Sequence, residues 1–424
     1  MITSVQYDYQ KDLESSLKGF YSNSFFHIYI DGGFDMDISR IAEDKDKGTV
    51  LHEYTHYIQN IGTLWGLYNS IYNYDVIIQF KKAVYAAKEI KRPFTVPLTE
   101  TLERKKKYVN HGNGTTGYYN WNIDDTKPIR YDLIKVVNNM KNEIRVDVTF
   151  TLDNGEEKTI QLGAHIIKES MAALYQSLLD SQVVHDDVPY NLVRKLAEKH
   201  FKNTAGDVRK LICCCHASLF CMSPGSCLIE LLQEAEKNPN MNGFQLFDQF
   251  VHTKEVVTWR GERKSMVDFF NEMVDGFKKR LETNLVSPLD YIATALEKVR
   301  LDGQHYPFLS VLYDNEPFSE KDFTDLVGYY GVPYIQTSNH GYYYPKGSGE
   351  NKDEASADVL ELIAQEALYF SFVDKDRLFV CPLYYMCQDS EYAKAECFDR
   401  PWEGTDCAYT IVSDFLCLKD KNIK

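Results

Sequence analysis

The chain has no run of about 18 apolar residues, the length a membrane-spanning helix requires. Its nearest approach, Leu211 to Met222, is shorter and holds His216 and Ser218. Met1 to Asp8 carries neither a basic nor an apolar leader segment, so a secretory signal is not expected. Excess positive charge is missing as well, since 47 Lys+Arg stand against 62 Asp+Glu, a net charge of −15. That balance excludes a wholesale nucleic-acid binder, which needs a concentrated cationic face, and it argues against docking on anionic lipid. Internal repeats, heptad arrays and low-complexity tracts are absent, and so is any Cys-x-x-Cys knuckle. The expected setting is the cytoplasm, where thiols stay reduced and the ten cysteines need no pairing.

What is present is ordinary in bulk and specific in one place. With 424 residues, 44% hydrophobic, and with 30 Tyr and 23 Phe, the chain has ample material for a core and cannot be globally disordered. The expected fold class is α+β, dominated by helix. Phe25 to Ile30 and Phe34 to Ile38 read as strands around Asp31-Gly32-Gly33. A helix opening near Asp46 carries the stripe Val50, Tyr54, Tyr57, Ile61, followed past Gly62 and Gly66 by another apolar stretch through Tyr68, Tyr72 and Val76. Lys91 to Lys127 reads as polar and turn-rich. A hairpin is expected from Ile144 to Leu152 and Lys158 to Leu162 about Asp153-Asn154-Gly155, then a helix from Gly163 to Leu179. Val188 to about Arg300 reads as helix throughout, broken at Ser223-Pro224-Gly225 and Asn238-Pro239. A polar loop, Lys346 to Glu354, precedes one more helix, Ala355 to Phe370. These boundaries divide the chain into residues 1–185 as a catalytic region, 186–345 as a mostly helical region completing a cleft, and 346–424 as a helix with a cysteine-bearing tail.

The chemistry is concentrated in Val50-Leu51-His52-Glu53-Tyr54-Thr55-His56. Histidines at i and i+4 project from one side of a helix, so both imidazoles reach a single tetrahedral ion. The intervening Glu53 is placed to hold a water on that ion and take its proton. With 11 His in 424 residues, and every acid counted as Glu, composition alone yields about 0.04 such matches. Chance is therefore the weaker reading. The downstream His-x-x-Gly-x-x-His of metzincins is missing, which sends the search for a third ligand to another helix.

Glu169, 112 residues beyond His56, lies on the helix Gly163 to Leu179, opposite the apolar stripe Ile167, Met171, Leu174, Leu178. Burying such an acid is costly unless it is paired or bound to a metal. Glu89, Glu100, Glu103, Asp132 and Glu143 are nearer in sequence, but none sits on so apolar a helix. His165, one turn before Glu169, is a candidate to support the ligands or to rival Glu169. The Gly-flanked aromatic loop with His340, Tyr342, Tyr343 and Tyr344 reads first as packing over the core. His340 and Tyr343 are its candidates for donating to a developing oxyanion.

His52-Glu53-Tyr54-Thr55-His56 followed by Glu169-Ser170-Met171-Ala172 resembles the gluzincin type of zincin peptidase. The resemblance covers at most the first 180 residues. It implies a zincin-like catalytic core, zinc held by His52, His56 and Glu169, and Glu53 as general base. The chain departs from thermolysin-like members in lacking a Ser-Asp pair after Glu169, so the partner of a histidine ligand is unassigned. By analogy, Phe25 to Ile30 or Phe34 to Ile38 would be the edge strand that aligns an extended peptide. The expected function is a zinc metallopeptidase with one catalytic ion, acting on a peptide or protein, without nucleic-acid or membrane partners. A metal-dependent hydrolase of a non-peptide amide or ester is one alternative, and a non-catalytic, zinc-stabilised binding protein is another.

The cysteines invite a second metal reading, but they lack knuckle spacing. Cys213-Cys214-Cys215, with Cys221 and Cys227 nearby, reads as a buried helix using Cys as a small hydrophobe. Cys381, Cys387, Cys397, Cys407 and Cys417, spaced 6, 10, 10 and 10 apart, also lack knuckle spacing, and a second metal site or redox-sensing group is the alternative for a tail whose role the sequence leaves open.

Overall fold

The computed structural model describes residues 19–21, 26–31, 47–138, 141–258, 261–301, 306–315, 317–337, 341–347, 355–374, 381, 383, 387 and 407–423. Two short strands, β1 (Gly19–Tyr21) and β2 (His27–Ile30), lead into helix α1 (Lys47–Ile61), which carries the histidine pair. The stripe Val50, Tyr54, Tyr57, Ile61 is buried as its spacing predicts. The opposite face is buried too, because His52, Glu53, His56, Gln59 and Asn60 are turned into the protein rather than toward water. A polar face can be buried only if something satisfies it, and that requirement defines the site described below.

Helix α2 (Leu64–Ala86) begins at Thr63, whose hydroxyl accepts from the Gly66 amide at 3.0 Å. It leads through β3 (Glu89–Ile90) to α3 (Glu100–Asn113). This third helix corrects the turn-rich reading of residues 91–127. Its apolar seam is narrow, with only Leu102 and Val109 among its hydrophobic residues buried. It is instead supported by the Thr99 cap, by Glu100 and Glu103 in its first turn, and by the Arg104–Glu100 ion pair. The expected hairpin is present as β5 (Lys141–Thr151) and β6 (Glu157–Leu162), joined by an unforeseen β4 (Arg130–Asn138) into an antiparallel three-stranded sheet. Gly163 then caps α4 (Ala164–Leu179). A Cβ at Gly163 would stand 2.4 Å from the Asn113 carbonyl oxygen, so glycine lets the end of α3 dock against the start of α4.

The helical stretch that follows contains α5 (Leu192–His200), α6 (Lys202–Ala205), α7 (Val208–Ser218), α8 (Pro224–Lys237) and α9 (Gly243–Thr253). Its breaks fall where expected, with Pro224 at the start of α8 and Asn238 capping its end. A small hairpin, β7 (Glu255–Val257) with β8 (Arg263–Ser265), interrupts it before α10 (Met266–Asn284) and α11 (Tyr291–Lys298). The three consecutive cysteines on α7 are wholly buried thiols. Then come α12 (Pro307–Asp314), α13 (Glu320–Tyr330), β9 (Tyr334–Thr337), β10 (Tyr342–Tyr343), α14 (Ala357–Val373), α15 (Ala408–Phe415) and β11 (Asn422–Ile423).

The fold is thus α+β and helix-dominated, with small sheets. β2 pairs in parallel with β9, more than 300 residues away in sequence, in a four-stranded sheet ordered β1-β2-β9-β10. β11 likewise pairs with β3. These pairings tie early and late parts of the chain together. They also correct the edge-strand expectation for Phe25 to Ile30, since β2 has a neighbour on both sides and the edges are β1 and β10. Phe34 to Ile38 lies outside the described residues. α1 packs against α4 and α2 and against β1 and β2, which places the histidine pair at the junction of sheet and helices.

Candidate metal centre

α1 and α4 face each other through polar side chains. His52, Glu53, His56 and Glu169 are each no more than 6% exposed. The Nε2 atoms of His52 and His56 each lie 3.4 Å from Glu169 Oε2, and the imidazoles meet edge to face with centroids 5.0 Å apart. Potential ligand atoms of His52, His56 and Glu169 all lie within 4.8 Å of one another, the sole such group of three or more His, Cys, Asp or Glu among the described residues.

At 3.4 Å the histidines make long hydrogen bonds to Glu169, and the spacing also suits a shared cation. A strong imidazolium–carboxylate hydrogen bond would draw N and O to about 2.7–2.9 Å. Ligand arms of 2.0–2.2 Å in a tetrahedron hold their ends about 3.3–3.6 Å apart. The separation matches donors disposed around a shared cation.

Both rings are oriented from behind. His52 Nδ1 is 3.2 Å from Gln176 Oε1, and His56 Nδ1 is 2.8 Å from Gln59 Oε1. An amide oxygen only accepts, so each Nδ1 carries a hydrogen, which leaves each Nε2 to ligate an ion or, when protonated, to donate to Glu169. Gln59 also donates from Nε2 to the Lys168 carbonyl at 3.1 Å, so one side chain holds a histidine of α1 against the backbone next to Glu169 on α4. Lys168 Nζ donates to Asn60 Oδ1 at 2.8 Å across the same interface. Burial lowers the Lys168 ammonium to about 8. These glutamines are the histidine partners that the sequence reading left unassigned. A spacing signal for them exists: Gln59 is three residues after His56, and Gln176 is two turns beyond Glu169 on the same helix face.

The electrostatics follow from burial and proximity. Burial opposes charge on His52, but the Glu169 hydrogen bond and the charges of Glu53 and Glu169 outweigh it and raise its pKa. Burial would raise Glu169, yet the His56 charge and hydrogen bonds from both histidines hold it well below the carboxylate range. Burial pushes Glu53 up, against the opposing charges of His52 and His56.

Two loops complete the surroundings. Tyr118 donates to Glu169 Oε1 at 3.4 Å, and its ring meets that of Tyr190, which also lies against His52 and His185. His185 Nε2 is 2.7 Å from Gln176 Oε1. The loops are fixed to the scaffold: Ser170 donates to the Pro189 carbonyl at 2.7 Å, and Asp187 accepts from the Ile123 amide at 2.7 Å. Proximity to Glu169, then burial, keeps the Tyr118 phenol protonated, and burial does the same for Tyr190. Loop position gives such residues no periodic signal, and sequence reasoning missed Tyr118, Tyr190 and His185.

His165 is placed beside the group but outside it. Its Nε2 lies 3.3 Å from the Gly117 backbone, and its ring meets Tyr118 edge to face, so it steadies the tyrosine that reaches Glu169. Tyr343 is held in β10 opposite Ile335 and packs on the core. His340 lies outside the described residues. Comparison with known protein families, curated proteins and solved structures finds no match to this chain.

The donor set therefore fits a cation on chemical grounds. Two oriented imidazole nitrogens and one carboxylate leave a position open to a fourth ligand.

Proposed function

We propose that the chain is a zinc-dependent metallopeptidase with a zincin-like catalytic arrangement, in which His52, His56 and Glu169 hold one ion and Glu53 is the general base. The observation that carries this reading is the equal 3.4 Å separation of both histidine nitrogens from one Glu169 oxygen, beside an unligated carboxylate at Glu53. Two nitrogens and one carboxylate with an open position are the donor set of hydrolytic zinc sites. Bound there, zinc supplies a Lewis acid that polarises a carbonyl and acidifies water.

The chain's residues supply the rest. The Glu53 side chain makes no hydrogen bond among the described residues, so its carboxylate is placed to accept a proton from the attacking water and return it to the leaving amine. Gln59 and Gln176 keep the imidazoles in the ligating tautomer. The protonated phenols of Tyr118, which donates to Glu169, and of Tyr190, whose ring lies against His52, are donors available for charge developing on a carbonyl oxygen.

The test is metal content and hydrolysis measured together. The purified chain is expected to hold one zinc that is lost in His52→Ala and Glu169→Ala, and to cleave members of a peptide library in preference to a panel of esters and simple amides. Cleavage confined to esters or amides would move the substrate to non-peptide bonds. Zinc without any hydrolysis, coupled with unfolding on its removal, would make the ion structural.

A further inference from the structure

The segment from the end of α7 into the first turn of α8 contains a feature the metal centre does not use. Cys221 Sγ and Cys227 Sγ are 2.8 Å apart, both as free thiols. A disulfide requires about 2.05 Å, so little sulfur movement separates the two states. Both backbones are pinned: the Cys221 amide donates to the Ser218 carbonyl at 3.1 Å, and the Cys227 amide donates to the Ser223 carbonyl at 3.2 Å. Cys221 is partly exposed and Cys227 is buried, which separates a residue that meets an oxidant from one that resolves it. The hydrogen bond from Cys221, then burial, keeps Cys227 protonated as a thiol.

The segment touches the chain just beyond one helix of the metal group and just before the other. The Leu219 carbonyl accepts from the Trp65 amide at 2.8 Å, in the first turn of α2, which follows α1 after Gly62 and Thr63. On the other side, a Cβ at Gly225 would stand 2.1 Å from the Leu162 carbonyl oxygen, immediately before α4, so the backbones meet there directly.

We propose that Cys221 and Cys227 form a redox site that is closed to an intramolecular disulfide by a low-molecular-weight disulfide such as glutathione disulfide, and that closure latches the 219–227 segment against the start of α2, which follows α1, and the end of β6, which leads into α4. In the first step the Cys221 thiol gives up its proton and its sulfur attacks one sulfur of glutathione disulfide, expelling one glutathione thiolate. In the second, the Cys227 thiol loses its proton and its sulfur attacks that of Cys221, expelling the second thiolate. Two protein thiols are oxidised and one glutathione disulfide is reduced to two glutathione molecules. The latch, unlike the redox site itself, rests on the metal-centre reading.

The experiment treats the full zinc-loaded chain with glutathione disulfide and reads two quantities. Intact mass and peptide mapping are expected to show loss of two hydrogen atoms, with a Cys221–Cys227 cross-link that reduced glutathione reverses and that Cys221→Ser and Cys227→Ala both abolish. Zinc release to a chelator is expected to slow about tenfold on oxidation, a modest share of what a cross-link contributes. Stable glutathione adducts, or cross-links elsewhere, would overturn the redox site. A Cys221–Cys227 cross-link with unchanged zinc release would overturn the latch. A chain that holds no zinc at all refutes the metal centre, and with it the latch, while the mass readout still decides the redox site.

Discussion

Replacing Gln59 by leucine tests whether the histidine geometry comes from the residues behind it. The side chain is fully buried, accepts from His56 Nδ1 at 2.8 Å and donates to the Lys168 carbonyl at 3.1 Å. Leucine has nearly the same volume and neither function. It frees the ring to rotate or change tautomer, and it loosens the backbone that presents Glu169. Loss of such an outer partner typically lowers metal affinity by about 10–100-fold, or roughly 1.4–2.7 kcal/mol. Gln59 bears on two ligands, so the larger end of that range is expected. Gln176→Leu should fall nearer tenfold, since its contact with His52 is longer at 3.2 Å and affects one ligand directly. Affinity is measured under native conditions by competition with a chromophoric chelator, with circular dichroism to establish that each variant is folded. The metal-free Gln59→Leu protein should also lose about 1–3 kcal/mol in urea unfolding, because the buried His56 Nδ1–H is left unpaired. A folded variant that binds zinc within about twofold of wild type would refute the reasoning.

Glu169→Gln carries a pH signature in the metal-free protein. Glu169 is held below its ordinary value near 4.5, so its contribution is present above that pH and lost as pH falls through its depressed pKa. His52 is held above its ordinary value near 6.5, so its contribution is full below 6.5 and fades as pH rises through its raised pKa. The stability gap between wild type and Glu169→Gln should be widest between those values, and urea midpoints showing a gap that widens above pH 8 would contradict the pairing. Burial lowers His27 to about 4 and His216 to about 3. The unfolded chain therefore takes up protons that the folded chain refuses as pH drops below 6.5, and stability should fall by about 1.4 kcal/mol per pH unit for each histidine. His216→Gln should show a correspondingly shallower loss between pH 6.5 and 5, and equal slopes would refute the assignment. Gly163→Ala forces a Cβ against the Asn113 carbonyl, so it should lower stability by about 1–3 kcal/mol in thermal or urea unfolding. Zinc affinity should weaken with it, and an unchanged midpoint would show that the two helices separate freely there.

The parts legible in the sequence share one property, which is that their signal is local. His52, Glu53 and His56 lie within two turns of one helix, and Glu169 betrays itself as an acid on an apolar helix. The hairpin about Asn154-Gly155 and the breaks at Pro224 and Asn238 are turn chemistry written in adjacent residues. The illegible parts are of two kinds. α3 has a seam too narrow for a periodicity reading and depends on capping and charge. The β2–β9 pairing, the Gln59 bridge to Lys168, and the convergence of Tyr118 and Tyr190 on Glu169 join residues far apart in the chain. Tyrosines on loops carry no spacing that marks them as ligand supports, and the helical spacing of Gln59 and Gln176 is shared by many residues, whereas histidine at i and i+4 is distinctive.

The most direct measurement is Glu53→Gln, read for zinc content and peptide hydrolysis on the same preparation. Glutamine keeps the shape of Glu53, which is not among the ligating residues, but cannot accept the proton. The expected result is one zinc per chain, an unchanged fold, and peptide hydrolysis reduced by about 10²–10⁴-fold. Full zinc occupancy with undiminished hydrolysis would contradict the assignment of Glu53 as the base, and with it the central claim.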